Sequence, residues 1–215
     1  YTTKRSLNFP TSLSFTSSEF TKLGRRVRLT EALTMDFIAR NTTIPIPRVL
    51  DVYSMDGKVH LVQECIRGPV LEDVWRHLSR AQQQSSMAQL RDCLVQLHNL
   101  EPPNYSERVQ AADGFPDAYP LVQDTLSKLQ SRRYKTVFAH GDLGPHNIIW
   151  RKDTERIVII DWETAGWFPA YWDYTRARAA RGGTPWWDMF RETVGHVYDN
   201  ELEFDIQAGK YFDRI

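Results

Sequence analysis

Residues 140–147 read His-Gly-Asp-Leu-Gly-Pro-His-Asn, and residues 160–163 read Ile-Asp-Trp-Glu. The first stretch places a carboxylate, Asp142, five residues before an amide, Asn147, with glycine and proline between them that favour a tight loop. The second stretch adds another carboxylate, Asp161. Phosphoryl transfer requires one carboxylate that faces an acceptor hydroxyl, and an amide oxygen and a second carboxylate that hold magnesium. The two stretches together supply this set of ligands.

The sequence on either side predicts how these residues meet. Residues 147–150 and 156–160 are apolar and rich in β-branched side chains, and a polar turn separates them, so they predict a hairpin. A hairpin places Asn147 and Asp161 at neighbouring ends of paired strands, as two ligands of one cation require. In the alternative reading, Asp142 and its partners only cap turns and strand ends. That reading requires three independent positions to match one mechanism by coincidence.

These residues resemble the pattern of the aminoglycoside phosphotransferase and choline kinase group, which has the protein-kinase-like fold. The resemblance is greatest to the fungal branch of this group, in which H-G-D-x-x-x-x-N is followed by I-D-W-E-x-A-G-W-F-P. Residues 160–169 read Ile-Asp-Trp-Glu-Thr-Ala-Gly-Trp-Phe-Pro. The resemblance extends from about Lys22 to about Tyr174 and therefore covers most of the chain.

The resemblance implies an α/β (α+β) fold of two lobes with the active site between them. A small, β-rich N-terminal lobe is expected over residues 1–66, on the nucleotide side. A larger, mainly helical C-terminal lobe is expected over residues 67–215, with the catalytic loop at 140–147 and the metal-binding Asp161. The implied activity is the ATP- and Mg2+-dependent phosphorylation of a hydroxyl group on a small molecule.

The resemblance also implies a role for each residue of the site. Asp142 orients the acceptor and takes its proton, while Asn147 and Asp161 bind Mg2+. Lys22 contacts the nucleotide phosphates and pairs with Glu31 of the first helix. For Lys22 and Glu31, two solvated surface charges are the alternative reading.

Other residues of the site follow from their positions in the family pattern. His140 is a further catalytic candidate, although the first histidine of this loop usually braces the backbone. The backbone of Glu64, Cys65 and Ile66, in the linker between the lobes, is expected to bind adenine. Asp173 resembles the buried aspartate that anchors the catalytic loop, with an acid on a helix surface as the alternative.

Local patterns in the first 66 residues predict strands over residues 19–24, 49–53 and 59–64. They predict one helix, over residues 31–40. Thr30 is expected to cap the helix, and Leu33, Phe37 and Ile38 to form its buried face. The pair Asp56–Gly57 indicates a hairpin turn between the last two strands. No glycine-rich phosphate loop precedes Lys22 in the sequence.

Two other classes of function stay open, and the missing glycine-rich loop motivates the first of them. Residues 11–18 are rich in serine and threonine, and they either hold phosphate in place of glycines, form a plain strand or are a disordered arm. A kinase-fold protein that binds a ligand without turnover is one alternative. The other is a natural-product biosynthetic enzyme that carries out acid–base chemistry in the same cleft, with His140, Asp142 and Asp161 as acids or bases.

Helices are expected to dominate the rest of the chain, including residues 86–100 and 121–132. A buried stripe is expected on the first of these helices, formed by Met87, Leu90, Leu94 and Leu97. One buried helical face near the C-terminus is expected to contain Phe190, Val194, Val197 and Tyr198. Six acids lie in the same region: Asp188, Glu192, Asp199, Glu201, Glu203 and Asp205. A wall for an amine-bearing or aromatic substrate and a solvated helix face explain them equally well.

Composition excludes several classes of partner. The 215 residues contain 27 Lys and Arg and 27 Asp and Glu, so the formal net charge is zero and no basic field is expected to attract nucleic acid. No apolar run approaches the roughly 18 residues of a membrane span. The two cysteines, Cys65 and Cys93, suggest a reducing compartment rather than a disulfide framework. A cytoplasmic location is therefore expected.

Overall fold

The structure is a computed structural model that describes residues 12–15, 19–24, 29–101 and 134–203. Its N-terminal part is one antiparallel sheet with the strand order β1-β2-β4-β3. The strands are β1 (Ser12–Phe15), β2 (Glu19–Gly24), β3 (Val49–Met55) and β4 (Lys58–Glu64). Helix α1 (Leu29–Asn41) lies between β2 and β3 in the chain and packs against β3 and β4.

The predicted strands of this sheet are confirmed, together with the turn between β3 and β4. Asp56 and Gly57 both have positive φ angles, of 52° and 69°, as a two-residue hairpin turn requires. Of the serine- and threonine-rich residues 11–18, Ser12–Phe15 form the plain strand β1. The remainder of that stretch lies outside the described residues.

Helix α1 is confirmed, but its buried face differs from the predicted one. The helix begins at Leu29, so Thr30 lies inside the first turn and does not precede it as a cap. Glu31, Met35 and Ile38 are buried, whereas Leu33 is 59% exposed, so the expected burial of Leu33 was wrong. Glu31 points inward to an ion pair, and Leu33 lies about 200° further round the helix, on the solvent side.

The larger part of the described chain combines helices with two short two-stranded sheets. The helices include α2 (Leu71–Val74), α3 (Arg80–His98), α4 (Trp172–Arg181) and α5 (Pro185–Val194). The strands are β5 (Thr136–Ala139), β6 (Ile148–Arg151), β7 (Arg156–Ile159) and β8 (Gly166–Pro169). Strand β5 pairs with β8, and β6 pairs with β7 as the predicted hairpin.

Helix α3 begins six residues before its predicted start. Ser79 accepts a hydrogen bond from the backbone of Gln82, whose side chain in turn accepts one from the backbone of Ser79. This capping box fixes the start at Arg80. The predicted apolar stripe is confirmed, since four side chains are buried: Met87, Leu90, Leu94 and Leu97. The helix predicted over residues 121–132 lies outside the described residues.

The predicted C-terminal face is confirmed only in part. Phe190 is buried, but Val197 is 62% exposed, so its expected burial was wrong. The reason is that α5 ends at Val194, where Gly195 takes a left-handed conformation with φ 91°. Among the described residues, no helix is long and apolar enough to span a membrane.

Candidate active site

The loop between β5 and β6 contains residues 140–147, and one of its glycines is required by geometry. Gly141 has a φ of 85°, which side chains rarely adopt. A Cβ atom at this position would lie 2.4 Å from the carbonyl oxygen of Thr164. Gly141 therefore allows the loop to turn against the segment that follows Asp161.

Asp173, in the first turn of α4, anchors the start of this loop. Its carboxylate accepts hydrogen bonds from the backbone N–H of His140, at 3.0 Å, and of Gly141, at 2.9 Å. Asp173 is 2% exposed. The geometry is therefore that of an anchoring aspartate and not that of an acid on a helix surface.

Substitution of Asp173 by asparagine is expected to destabilise the protein. Asparagine offers one acceptor oxygen where two backbone donors need one each, so a buried N–H loses its partner at a cost of about 1–3 kcal/mol. Urea unfolding measures this cost. Asp188→Asn is the matched control, because Asp188 is an exposed acid of α5. Equal stability of the two variants would contradict the anchoring role.

His140 is enclosed by the backbone of the site. The residue is 0% exposed, its Nε2 lies 3.0 Å from the carbonyl oxygen of Ile160, and its Nδ1 accepts a hydrogen bond from the N–H of Asp142 at 3.3 Å. Burial lowers the pKa of His140, so the ring is neutral. Because both ring nitrogens have backbone partners, this geometry favours a bracing role over the catalytic role.

Asp142 receives two side-chain hydrogen bonds on one of its two oxygens. Asn147 Nδ2 donates to Asp142 Oδ2 at 3.0 Å, and His146 Nε2 lies 3.3 Å from the same oxygen. The hydrogen bond from His146 lowers the pKa of Asp142 below its ordinary value, against the opposing effect of desolvation. Within the described ranges Oδ1 has no hydrogen-bond partner, and the Asp142 side chain is 47% exposed. Asp142 is therefore an ionised carboxylate with one oxygen available.

The hairpin of β6 and β7 brings Asn147 beside the residue that precedes Asp161. Ile148 pairs with Ile159, and the N–H of Ile160 donates to the carbonyl oxygen of Asn147 at 2.9 Å. This confirms the predicted meeting of Asn147 and Asp161 at neighbouring strand ends. The Asn147 side chain donates through Nδ2 only, and its Oδ1 accepts no hydrogen bond from the described part of the chain.

Lys22 on β2 joins the small sheet to this site. Its Nζ lies 2.8 Å from Glu31 Oε1 and 2.5 Å from Asp161 Oδ1. Burial alone lowers the pKa of Lys22, but Glu31 and Asp161 together raise it above its ordinary value. Burial raises the pKa of Glu31, and Lys22 opposes that rise. Lys22 and Glu31 are thus a largely buried ion pair and not two solvated charges.

Glu163 completes an acidic cluster that the sequence reasoning missed. One carboxylate oxygen each from Glu31, Asp161 and Glu163 lies within 4.8 Å of the others. Glu31 Oε2 is buried without a hydrogen-bond partner among the described residues. The sequence could have indicated Glu163, because this residue follows Asp161 by two positions and therefore lies after the same strand.

The proposed adenine linker lies between β4 and α2. Cys65 and Ile66 are half-buried. The N–H of Glu64 donates to the carbonyl oxygen of Arg48 at 2.8 Å, and the Glu64 carboxylate pairs with the Arg48 side chain. The N–H of Glu64 is therefore already engaged, whereas no backbone hydrogen bond engages Cys65 or Ile66 among the described residues.

Two of the C-terminal acids form hydrogen bonds with other side chains of the protein. Arg191 holds both oxygens of Asp199, Tyr174 donates to it at 2.6 Å, and Arg191 above all lowers the pKa of Asp199 to about 2. Glu201 is buried and accepts a hydrogen bond from Tyr134. Asp188, Glu192 and Glu203 are exposed, and Asp205 lies outside the described residues. Among the described residues, an acidic wall for a substrate is therefore limited to the exposed acids Asp188, Glu192 and Glu203.

Comparison with known proteins gives one family match and many matches of fold. Residues 25–212 match the family described as "Phosphotransferase enzyme family". No curated protein shows significant sequence similarity to the chain.

Three solved structures illustrate the similarity of fold. The gentamicin complex of APH(2")-IIa has a TM-score of 0.60 and 15% identity, over 90% of this chain and 76% of that one. APH(3'')-Id from Streptomyces rimosus, in complex with ADP and streptomycin, has a TM-score of 0.57 and 19% identity, over 87% of this chain and 84% of that one. A thermostable mutant of APH(4)-Ia with ADP and hygromycin B has a TM-score of 0.61 and 11% identity, over 91% of this chain and 82% of that one. The predicted two-lobed, kinase-like α/β fold is confirmed.

Proposed function

Because the chain belongs to the phosphotransferase enzyme family, we propose that it transfers the γ-phosphate of ATP to a hydroxyl group of a small molecule, with Mg2+ as cofactor. One observation carries this proposal. Lys22 of the small sheet forms an ion pair with Asp161, which lies at the strand end beside Asn147 and the loop of Asp142. This contact supports a site in which Lys22 is proposed to bind phosphate, Asn147 and Asp161 to bind the metal, and Asp142 to act as the base.

Asp142 is proposed to act on the acceptor. Its Oδ2 receives the hydrogen bonds from Asn147 and His146, which leaves Oδ1 for the acceptor hydroxyl. As the hydroxyl oxygen attacks the γ-phosphorus, the bond from this phosphorus to the bridging oxygen breaks and ADP leaves, while the hydroxyl proton passes to Asp142. The lowered pKa of Asp142 keeps it ionised and ready to accept the hydrogen bond.

Asn147 Oδ1 and the Asp161 carboxylate are proposed to hold Mg2+, with Glu163 as a further carboxylate at the same place. The ligand set fits a hard cation, because all three supply oxygen atoms and Glu31 of the acidic cluster has a buried oxygen that no described residue hydrogen-bonds. Bound Mg2+ neutralises charge on the transferring phosphoryl group. Lys22, held by Glu31, is proposed to bind the phosphates, and the linker of Glu64, Cys65 and Ile66 the adenine.

The acceptor is proposed to be a hydroxylated compound, and amine-bearing compounds are the first to test. The related structures contain gentamicin, streptomycin or hygromycin B, and two of them contain ADP. The exposed acids Asp188 and Glu192 are available to an amine, whereas Asp199 and Glu201 are engaged internally. The lobe boundary is proposed near residue 66, after β4.

Thermal unfolding with ATP, with and without Mg2+, tests the nucleotide site. A ligand that binds only the folded state stabilises it by about 2.7 kcal/mol at 100 times its dissociation constant, which is roughly 5 to 10 °C at this chain length. We expect a rise that requires both ATP and Mg2+. Lys22→Met is expected to reduce this ATP-dependent rise. No rise at millimolar ATP would contradict the proposed function.

A further inference from the structure

His146 contacts Asp142, although the motif does not specify the residue at position 146. The motif needs only Asp142 and Asn147, and it leaves the residue between proline and asparagine unspecified. In the structure, the His146 ring turns back along the loop, so that Nε2 lies 3.3 Å from Asp142 Oδ2. His146 Nδ1 is buried and has no hydrogen-bond partner in the part of the chain that the structure describes. Asp142 is therefore the only polar partner that the described residues offer to this ring.

Gly144 provides the space that the ring occupies. A Cβ atom at Gly144 would lie 2.5 Å from His146 Cε1 and 2.6 Å from Nδ1, closer than real side chains approach. The backbone of Gly144 is extended, with φ −165° and ψ 167°, which any residue adopts. The glycine is therefore needed for the space beside its Cα atom and not for its conformation.

The two donors to Asp142 determine which of its oxygens is available. Asn147 and His146 both approach Oδ2, from neighbouring positions at the end of the loop. With both bonds in place the carboxylate cannot rotate to offer Oδ2. A reacting group that is displaced by about 1 Å can lose about 100-fold in rate, so a fixed carboxylate matters for turnover.

We propose that His146 is a positioning residue, which holds the Asp142 carboxylate so that Oδ1 faces the acceptor, and that Gly144 is the residue that admits its imidazole ring. This inference rests on the proposed function, since it assigns the rotation of the base in that reaction. The imidazole donates its Nε2 proton to Oδ2 and takes no part in the transfer of protons to or from the acceptor.

The test measures kcat and the KM for ATP from ADP formation, with Mg2+ and a panel of hydroxylated acceptors that includes gentamicin, streptomycin and hygromycin B. His146→Ala is expected to lower kcat by about tenfold to a hundredfold and to leave the KM for ATP within about twofold. His146→Gln, whose amide also donates a hydrogen bond, is expected to recover most of this loss. His77→Ala is the matched control, because His77 is an exposed histidine outside the site.

The pair of Gly144 and His146 provides a second and independent test. Gly144→Ala alone is expected to lower kcat about as much as His146→Ala, because the methyl group displaces the ring. The double variant is expected to lose no more than either single variant, since both remove the same hydrogen bond. Thermal unfolding shows whether each variant is folded.

The possible outcomes separate this inference from the proposed function. If the wild-type chain forms no ADP with any acceptor of the panel, the proposed function fails and the inference fails with it. If the wild type is active and His146→Ala has the same kcat, only the inference is overturned. Losses that multiply in the double variant, or a glutamine that recovers nothing, also overturn it.

Discussion

Asp142→Asn is expected to lower turnover by about 100- to 10,000-fold while the protein stays folded and binds ATP. The amide cannot take the proton of the acceptor hydroxyl, so the reaction loses its base. Its oxygen still accepts hydrogen bonds from Asn147 and His146, so the shape of the loop is kept. Turnover is measured as ADP formation with an active acceptor, and folding by thermal unfolding.

The matched control for this variant is Asp153→Asn. Asp153 is an exposed acid in the turn between β6 and β7, where it pairs with Arg151 and accepts a hydrogen bond from Thr154. Its loss is expected to leave turnover unchanged. An Asp142→Asn variant with wild-type turnover would show that Asp142 is not the base.

Lys22→Met is expected to destabilise the protein by about 3 kcal/mol at neutral pH, because Glu31 then remains buried without its cation. The effect depends on pH. Burial raises the pKa of Glu31, so the folded state binds its proton more tightly than the unfolded state does, and the loss of Lys22 raises this pKa further. The destabilisation is therefore small below the ordinary pKa of glutamate and grows as the pH rises through the raised value.

Urea unfolding at about pH 4 and about pH 8 measures this dependence. The matched control is the double variant Lys22→Met, Glu31→Gln, which removes both charges from the same place. It is expected to regain most of the stability that the single variant loses at the higher pH. A single variant as stable as wild type at both pH values would contradict the buried ion pair.

Local sequence patterns predicted the hairpins and the meeting of the loop of residues 140–147 with the segment of Asp161. These features depend on contacts between residues close in sequence: Asp56 and Gly57 set one turn, and two continuous apolar runs pair as β6 and β7. The narrower resemblance to the fungal branch of the family stays a prediction, as do the roles of the site residues.

Long-range contacts account for what the sequence did not predict. The inward face of α1 is fixed by the ion pair of Glu31 with Lys22, which turned Leu33 to solvent. The engagement of Asp199 by Arg191 and Tyr174 also depends on how α5 packs against α4. The contact of His146 with Asp142 is local, but it depends on a side-chain rotamer that the motif does not specify.

The most direct measurement of the central claim is the transfer of the terminal phosphate of ATP to an acceptor. The purified chain is incubated with Mg2+, ATP labelled in the γ-phosphate and the panel that includes gentamicin, streptomycin and hygromycin B. The products are then separated, and their masses are measured by mass spectrometry. The account predicts an acceptor that gains one labelled phosphoryl group with the wild type and not with Asp142→Asn. Label that stays in ATP with every acceptor, in a folded protein, would contradict it.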